Sequence, residues 1–227
     1  MFLGASLNPD YFKKNINLFI ALAPVANTSY VSSPFAKALS PYINHITQFM
    51  LLGKRYNWFD TEDKKYLTAV CGVSLFKPIC QYVLNNHFFN SKVDNIERVP
   101  VFMGNEPSGQ SYRTFVYYAQ MMNSKRYALY DYGTKKNNKI YGADEPPLVP
   151  IEDLDIPVAI FSGSLDHIGD PEDVSFLVDK LGDKVVFHKE YNMDHYSFAI
   201  AQDMTFFEDA ITVLNKYNNI TDDSFLN

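Results

Sequence analysis

Two short segments in the carboxyl-terminal third carry residue types that do chemistry as a pair. Gly163-Ser164-Leu165-Asp166 follows the apolar run Ile156-Pro157-Val158-Ala159-Ile160-Phe161, and Asn192-Met193-Asp194-His195 follows Val185-Val186-Phe187-His188. An Asp in the turn behind one strand and a His in the turn behind the next fit the chain order Ser, Asp, His of a hydrolytic triad. In that role Asp166 accepts the Nδ1 proton of His195, fixing its tautomer and stabilising the imidazolium that forms during acyl transfer. Each residue also has a plainer reading. An Asp after Gly and Ser commonly bonds its own backbone in a turn, and a His beside Met193, Tyr196 and Phe198 can be a helix cap or a core residue. Their placement one crossover apart is what favours the pair.

The first member of such a triad sits on a strained elbow that needs Gly-x-Ser-x-Gly, and no stretch of the sequence satisfies that pattern. Gly4-Ala5-Ser6-Leu7-Asn8 lacks the second glycine and does not follow a strand. Of the five histidines, His167 is read as a rim residue, and His45, His87 and His188 have no partner at metal-ligand spacing. With no H-x-x-x-H or C-x-x-C, neither a zinc site nor a cofactor is expected. Cys71 and Cys80 would stand about 13 Å apart on a straight helix, too far for a disulfide. Gly72 and Pro78 can break that helix, so a bridge and two buried thiols both remain open.

The elements that must carry these residues follow from apolar runs and breakers. Residues 1–15 read as helix, restarted at Asn8-Pro9-Asp10 where Asn8 caps and Pro9 enters a first turn. Leu18 to Ala23, bounded by Pro24, reads as a fully buried parallel strand. Residues 34–88 alternate helical patches with Pro34, Pro41, Gly53, Gly72 and Pro78 and give no sheet signal, which predicts a helical insertion. A helix is expected over 109–123, a loop from Asp131 to Leu154, and a strand over 157–162. Asp170-Pro171-Glu172-Asp173 has the form of a helix start closed by Gly182, and one last helix is expected from Phe198 to Lys216. Strands alternating with helices predict an α/β fold with a doubly wound parallel sheet, whose functional residues sit at the carboxyl ends of the strands.

With 227 residues, 47% of them hydrophobic, the chain can bury one sizeable core, which predicts a single domain. Its net charge of −6 and lack of a Lys/Arg stripe argue against nucleic acid as a partner. No apolar run reaches the roughly 20 residues of a transmembrane helix. The start at Met1 has no basic region and meets Asn8-Pro9 too soon for a signal peptide.

Several stretches together resemble the acid lipases, the gastric and lysosomal lipases and their relatives on the α/β-hydrolase fold. They are Ala21-Leu22-Ala23-Pro24-Val25-Ala26, Asn105-Glu106-Pro107-Ser108-Gly109-Gln110-Ser111, Tyr130-Asp131-Tyr132-Gly133, Pro146-Pro147, Gly163-Ser164-Leu165-Asp166, Asp170-Pro171-Glu172-Asp173-Val174 and Asp194-His195, in matching order and spacing. The resemblance implies that Asp166 and His195 are triad members and that Cys71 and Cys80 form the disulfide of a helical cap. It further implies that this cap, inserted at about 34–90, holds a lid around 58–88 that meets the lipid–water interface. The partner implied is a neutral lipid ester, and the location a secretory or lysosomal one, which the sequons at Asn27 and Asn219 suit. In the family the elbow serine lies just ahead of the helix that Met1 to Lys14 resembles. Residues 1–227 are therefore expected to be one incomplete α/β-hydrolase domain, inactive alone, with the nucleophile and oxyanion donors outside it. The alternative is a catalytically dead remnant that binds lipid or a partner.

Overall fold

Every residue from Val158 to Gly163 is buried, and the surrounding elements make that possible. The computed structural model describes residues 1–52, 57–58, 75, 89–99, 101–102, 106 and 108–218. Helices α1 (Phe2–Leu7) and α2 (Pro9–Asn15) lead into strand β1 (Phe19–Leu22). Helices α3 (Pro34–Leu39) and α4 (Ile43–Leu52) follow, then the short strands β2 (Asn57–Trp58) and β3 (Gln110–Ser111). Helices α5 (Tyr112–Ser124) and α6 (Thr134–Tyr141) precede strand β4 (Val158–Gly163). Helix α7 (Pro171–Leu181), strand β5 (Val185–Tyr191) and helices α8 (Ser197–Ile200) and α9 (Phe206–Tyr217) complete the described residues.

Strands β1, β4 and β5 form a parallel sheet in the order β1-β4-β5, with Phe19 opposite Val158 and Gly163 opposite Tyr191. Side chains alternate across a strand, so β4 serves two cores. Val158 and Ile160 pack with Phe2, Ala5, Val174, Leu177 and Leu181 of α1 and α7. Ala159 and Phe161 pack with Tyr191, Phe198, Phe206 and Ala210 on the side of α8 and α9. Asp170 starts α7 by accepting the Glu172 amide with Pro171 at the first position, and Gly182 ends it at φ 53°. The crossover that separates the two parallel strands is therefore the one its sequence signals describe.

Four expectations are corrected. β1 is parallel but not fully buried: among the described residues it pairs only with β4, and Leu22 stays 43% exposed. The region read as free of sheet contains β2, which pairs antiparallel with β3, so the helix after it starts at Tyr112, with Ser111 accepting the Arg113 amide. The segment read as a loop contains α6, bracketed by Gly133 and Gly142 at φ 82° and 72°. That helix is polar, and its one buried residue, Asn137, bonds Tyr132 N, Asp131 Oδ1 and Asp144 O, so no apolar period announced it. The single last helix is two, because Ala201 leaves helical geometry to bridge Asp94. Within the expected cap, α3 and α4 are helical as anticipated. Most of 53–88, including the expected lid, lies outside the described residues.

Candidate active site

The loops after β4 and β5 continue the sheet as a zipper beyond its ladder. Ser164 N donates to Tyr191 O at 2.8 Å and Leu165 N to Met193 O at 3.0 Å. Gly163 is required there: a Cβ would stand 2.3 Å from Met193 O. Gly169 is confined less severely, its hypothetical Cβ lying 3.0 Å from both Asp166 Oδ2 and Pro24 O. Two adjacent parallel strands thus deliver their first loop residues to a common place.

Asp166 and His195 meet in that place. Asp166 Oδ2 lies 2.9 Å from His195 Nδ1, and Asp166 Oδ1 accepts the amides of Ile168 and Gly169, both at 2.8 Å. The carboxylate is acceptor-only when ionised, so Nδ1 carries the hydrogen and Nε2 keeps its lone pair. The Asp166 side chain is wholly buried, whereas that of His195 is 22% exposed. Among the described residues no hydrogen bond engages Nε2, the nitrogen a general base uses. Asp166 thus divides its two oxygens, Oδ1 serving its own turn and Oδ2 facing the imidazole.

Around the pair the site is apolar on one flank and acidic on the other. Tyr196 packs edge-on against the His195 ring at 5.3 Å and meets Phe89 and Phe102 at 5.7 and 5.5 Å. Burial pushes the Tyr196 hydroxyl up from its ordinary pKa. Burial also raises the Asp194 carboxyl, with the His195 amide pulling it back and Asp166 adding to the rise.

His167 is exposed, as a rim residue should be, yet it has a partner that sequence reasoning missed. Its Nδ1 lies 2.9 Å from Ser32 Oγ, which gives its hydrogen to Asp170 Oδ2 at 2.7 Å. The amides of Ser32 and Ser33 both donate to His167 O. The loop after β1 is thereby tied to the acid's turn. Further along that loop, Tyr30 N donates to Asp173 Oδ2 at 3.0 Å, while the buried Asp173 Oδ1 has no partner among the described residues. Burial pushes the Asp173 carboxyl up to about 6, tempered by the Tyr30 amide.

The other singled-out residues lie apart. His45 is exposed on α4, and His188 faces Ser162 Oγ at 3.2 Å across the sheet. His87, Cys71, Cys80 and Asn219 fall outside the described residues. Asn27 does not fit the expected glycan. It is 4% exposed with its Oδ1 accepting from Ser29 N and Oγ, and an N-linked sugar needs a surface acceptor. Ser6 is buried in α1 with its hydroxyl on Phe2 O. Among the described residues no group of His, Cys, Asp and Glu could hold a metal, and no helix is long and apolar enough to cross a membrane.

No family model matches the chain, but curated proteins do. It is 33% identical to the gastric triacylglycerol lipase of Rattus norvegicus over 211 residues, 89% of this chain and 51% of that one. It is 28% identical to Homo sapiens lipase member K over 220 residues, 95% of this chain and 55% of the other. The lysosomal acid lipase/cholesteryl ester hydrolase of Rattus norvegicus is 27% identical over 224 residues, 95% and 55% of the two chains. The chain spans about half the length of the curated relatives it matches. With relatives of one kind aligned along nearly all of it, and the Asp166–His195 pair at the carboxyl edge of a parallel sheet, the chain is acid-lipase-like over the half of those proteins that it spans.

Proposed function

We propose that these residues carry the acid and base of a lipase that cleaves neutral lipid esters through a Ser-His-Asp acyl-enzyme. The observation that carries the reading is the 2.9 Å contact between a wholly buried Asp166 and His195 Nδ1. In the reaction, His195 Nε2 takes the proton of a serine hydroxyl as its oxygen adds to the ester carbonyl. His195 then returns that proton to the departing alcohol, and water repeats the sequence to release the fatty acid. Asp166 remains ionised throughout and stabilises the imidazolium. The serine and the oxyanion donors come from polypeptide outside these 227 residues, so the residues alone have negligible activity. The same reading makes 34–90 a cap over the lipid cleft, pairs Cys71 with Cys80, and assigns a secreted or lysosomal setting.

Fusing the half of the rat gastric lipase that this chain does not match ahead of residues 1–227 tests the reading. Turnover of a triacylglycerol emulsion is expected from the fusion and not from residues 1–227, and His195→Ala or Asp166→Ala should abolish it. Activity of the fusion that survives both substitutions would refute it. The absence of Gly-x-Ser-x-Gly favours a second reading, a lipid- or partner-binding remnant. That reading is supported if the fusion folds, binds lipid vesicles and stays inert.

A further inference from the structure

A carboxylate far from the pair in sequence reaches the backbone of the base. Asp94 is 0% exposed, and its Oδ1 receives the hydroxyl hydrogen of Ser197 at 2.6 Å while Oδ2 receives the Asn90 amide at 2.7 Å. Ser197, also 0% exposed, has one hydrogen to give. Because Asp94 takes it, Ser197 Oγ faces the Asp194 amide as an acceptor, at 2.9 Å. Asp194 Oδ1 in turn accepts the His195 amide at 2.7 Å. A directed chain therefore runs from a buried carboxylate to the main chain of the imidazole-bearing residue.

The segment holding Asp94 is itself fixed against the far side of the same turn. Asn95 N donates to Ile200 O and Gln202 N to Val93 O, each at 2.8 Å, and Gln202 Nε2 reaches Asp94 O at 3.0 Å. Among the described residues no cation pairs with Asp94. Burying an uncompensated charge is costly, and packing alone would be better served by an apolar side chain of similar volume. A carboxylate does what its amide cannot: it offers two acceptors and no donor to two inward-pointing hydrogens. The substitution Asp94→Asn would turn an NH2 group against either the Ser197 hydroxyl or the Asn90 amide.

We propose that Asp94, acting through Ser197, is a positioning residue that sets the backbone of the 194–197 turn and so aims His195 Nδ1 at Asp166. This rests on reading His195 as the base, but it concerns geometry, and the test below involves no turnover. A fusion that fails to hydrolyse ester would count against the function and leave this proposal standing.

The test reads the His195 Nδ1 proton by NMR in residues 1–227, with circular dichroism and cooperative unfolding as the check on folding. Ser197→Ala and Asp94→Asn should leave the fold in place while that proton exchanges with water about tenfold faster or more, the equivalent of one lost hydrogen bond. Ser197→Thr, which keeps the hydroxyl, should restore the wild-type rate. In the unaltered protein the Asp194 amide should be as protected from exchange as the zippered Leu165 amide, a reading that decides the matter if the variants unfold. A folded Ser197→Ala protein with an unchanged His195 proton, or an Asp194 amide exchanging like a free loop, would overturn the proposal.

Discussion

Gly163→Ala is the smallest change that should part Asp166 from His195 without touching either. The added Cβ would lie 2.3 Å from Met193 O and 3.0 Å from its carbonyl carbon, and real Cβ atoms essentially never come within 3.0 Å of another heavy atom. Since the obstacle is backbone, no side chain can swing aside, and the turn carrying His195 must retreat by about 0.7 Å. That movement strains the Leu165 N to Met193 O bond and costs roughly 1–3 kcal/mol in overpacking. Transmitted in full to His195, it lengthens the 2.9 Å contact to about 3.6 Å, past hydrogen-bond range. In an active fusion, a displacement of this size should lower kcat by up to about 100-fold, with KM little affected. Denaturant unfolding measures the first effect, and the position and exchange rate of the His195 Nδ1 proton the second. An alanine variant of unaltered stability and unaltered Nδ1 proton would show that the close approach has no part in holding the pair.

Two further outcomes follow from features away from the pair. Asp173 titrates at about 6 in the fold against an ordinary 3.8, so the folded state holds the proton more tightly; stability is fullest below pH 3.8, falls as pH rises to about 6, and is flat beyond. Urea unfolding from pH 4 to 7 should show wild type losing up to about 3 kcal/mol more than Asp173→Asn, whereas parallel pH curves for the two proteins would remove the assignment. Phe207, Ile211 and Leu214, 56%, 38% and 36% exposed, form an apolar stripe along α9, and such surfaces self-associate. Sedimentation velocity should show mass rising with concentration for residues 1–227 and a monomer for Phe207→Lys with Ile211→Lys; a wild-type monomer at all concentrations would contradict this.

What could be read in the sequence was what local rules govern. Asp170, Pro171 and Gly182 mark α7 through capping chemistry, and the run ahead of Asp166 marks β4 because buried parallel strands are continuously apolar, whereas Val185-Val186-Phe187 marks only the start of β5, most of which is exposed or half-buried. From those elements alone, Asp166 and His195 fall at one edge of one sheet. The remainder depends on contacts between residues far apart in the chain. The confinement of Gly163 comes from Met193, the break between α8 and α9 from Asp94, and the tie on His167 from Ser32. Nothing within a few residues of Gly163, Ala201 or His167 encodes those partners. α6 escaped notice for another reason: it is held by the side-chain amide of Asn137 and flanking glycines, while hydrophobic periodicity reports only helices that bury an apolar face. The sequon at Asn27 is a pattern that says nothing of burial.

The zippered loops make the acid–base pair a self-contained cassette. Among the described residues, the groups that orient Asp166 and His195 lie in the turns that follow β1, β4 and β5 or in the short segment around Asp94. None belongs to a nucleophile. Selection acting on that nucleophile, whether to keep, move or discard it, therefore exerts no direct structural pull on the pair. In this chain an intact Asp166–His195 contact reports that the two zippered loops have folded, and it carries no information about turnover.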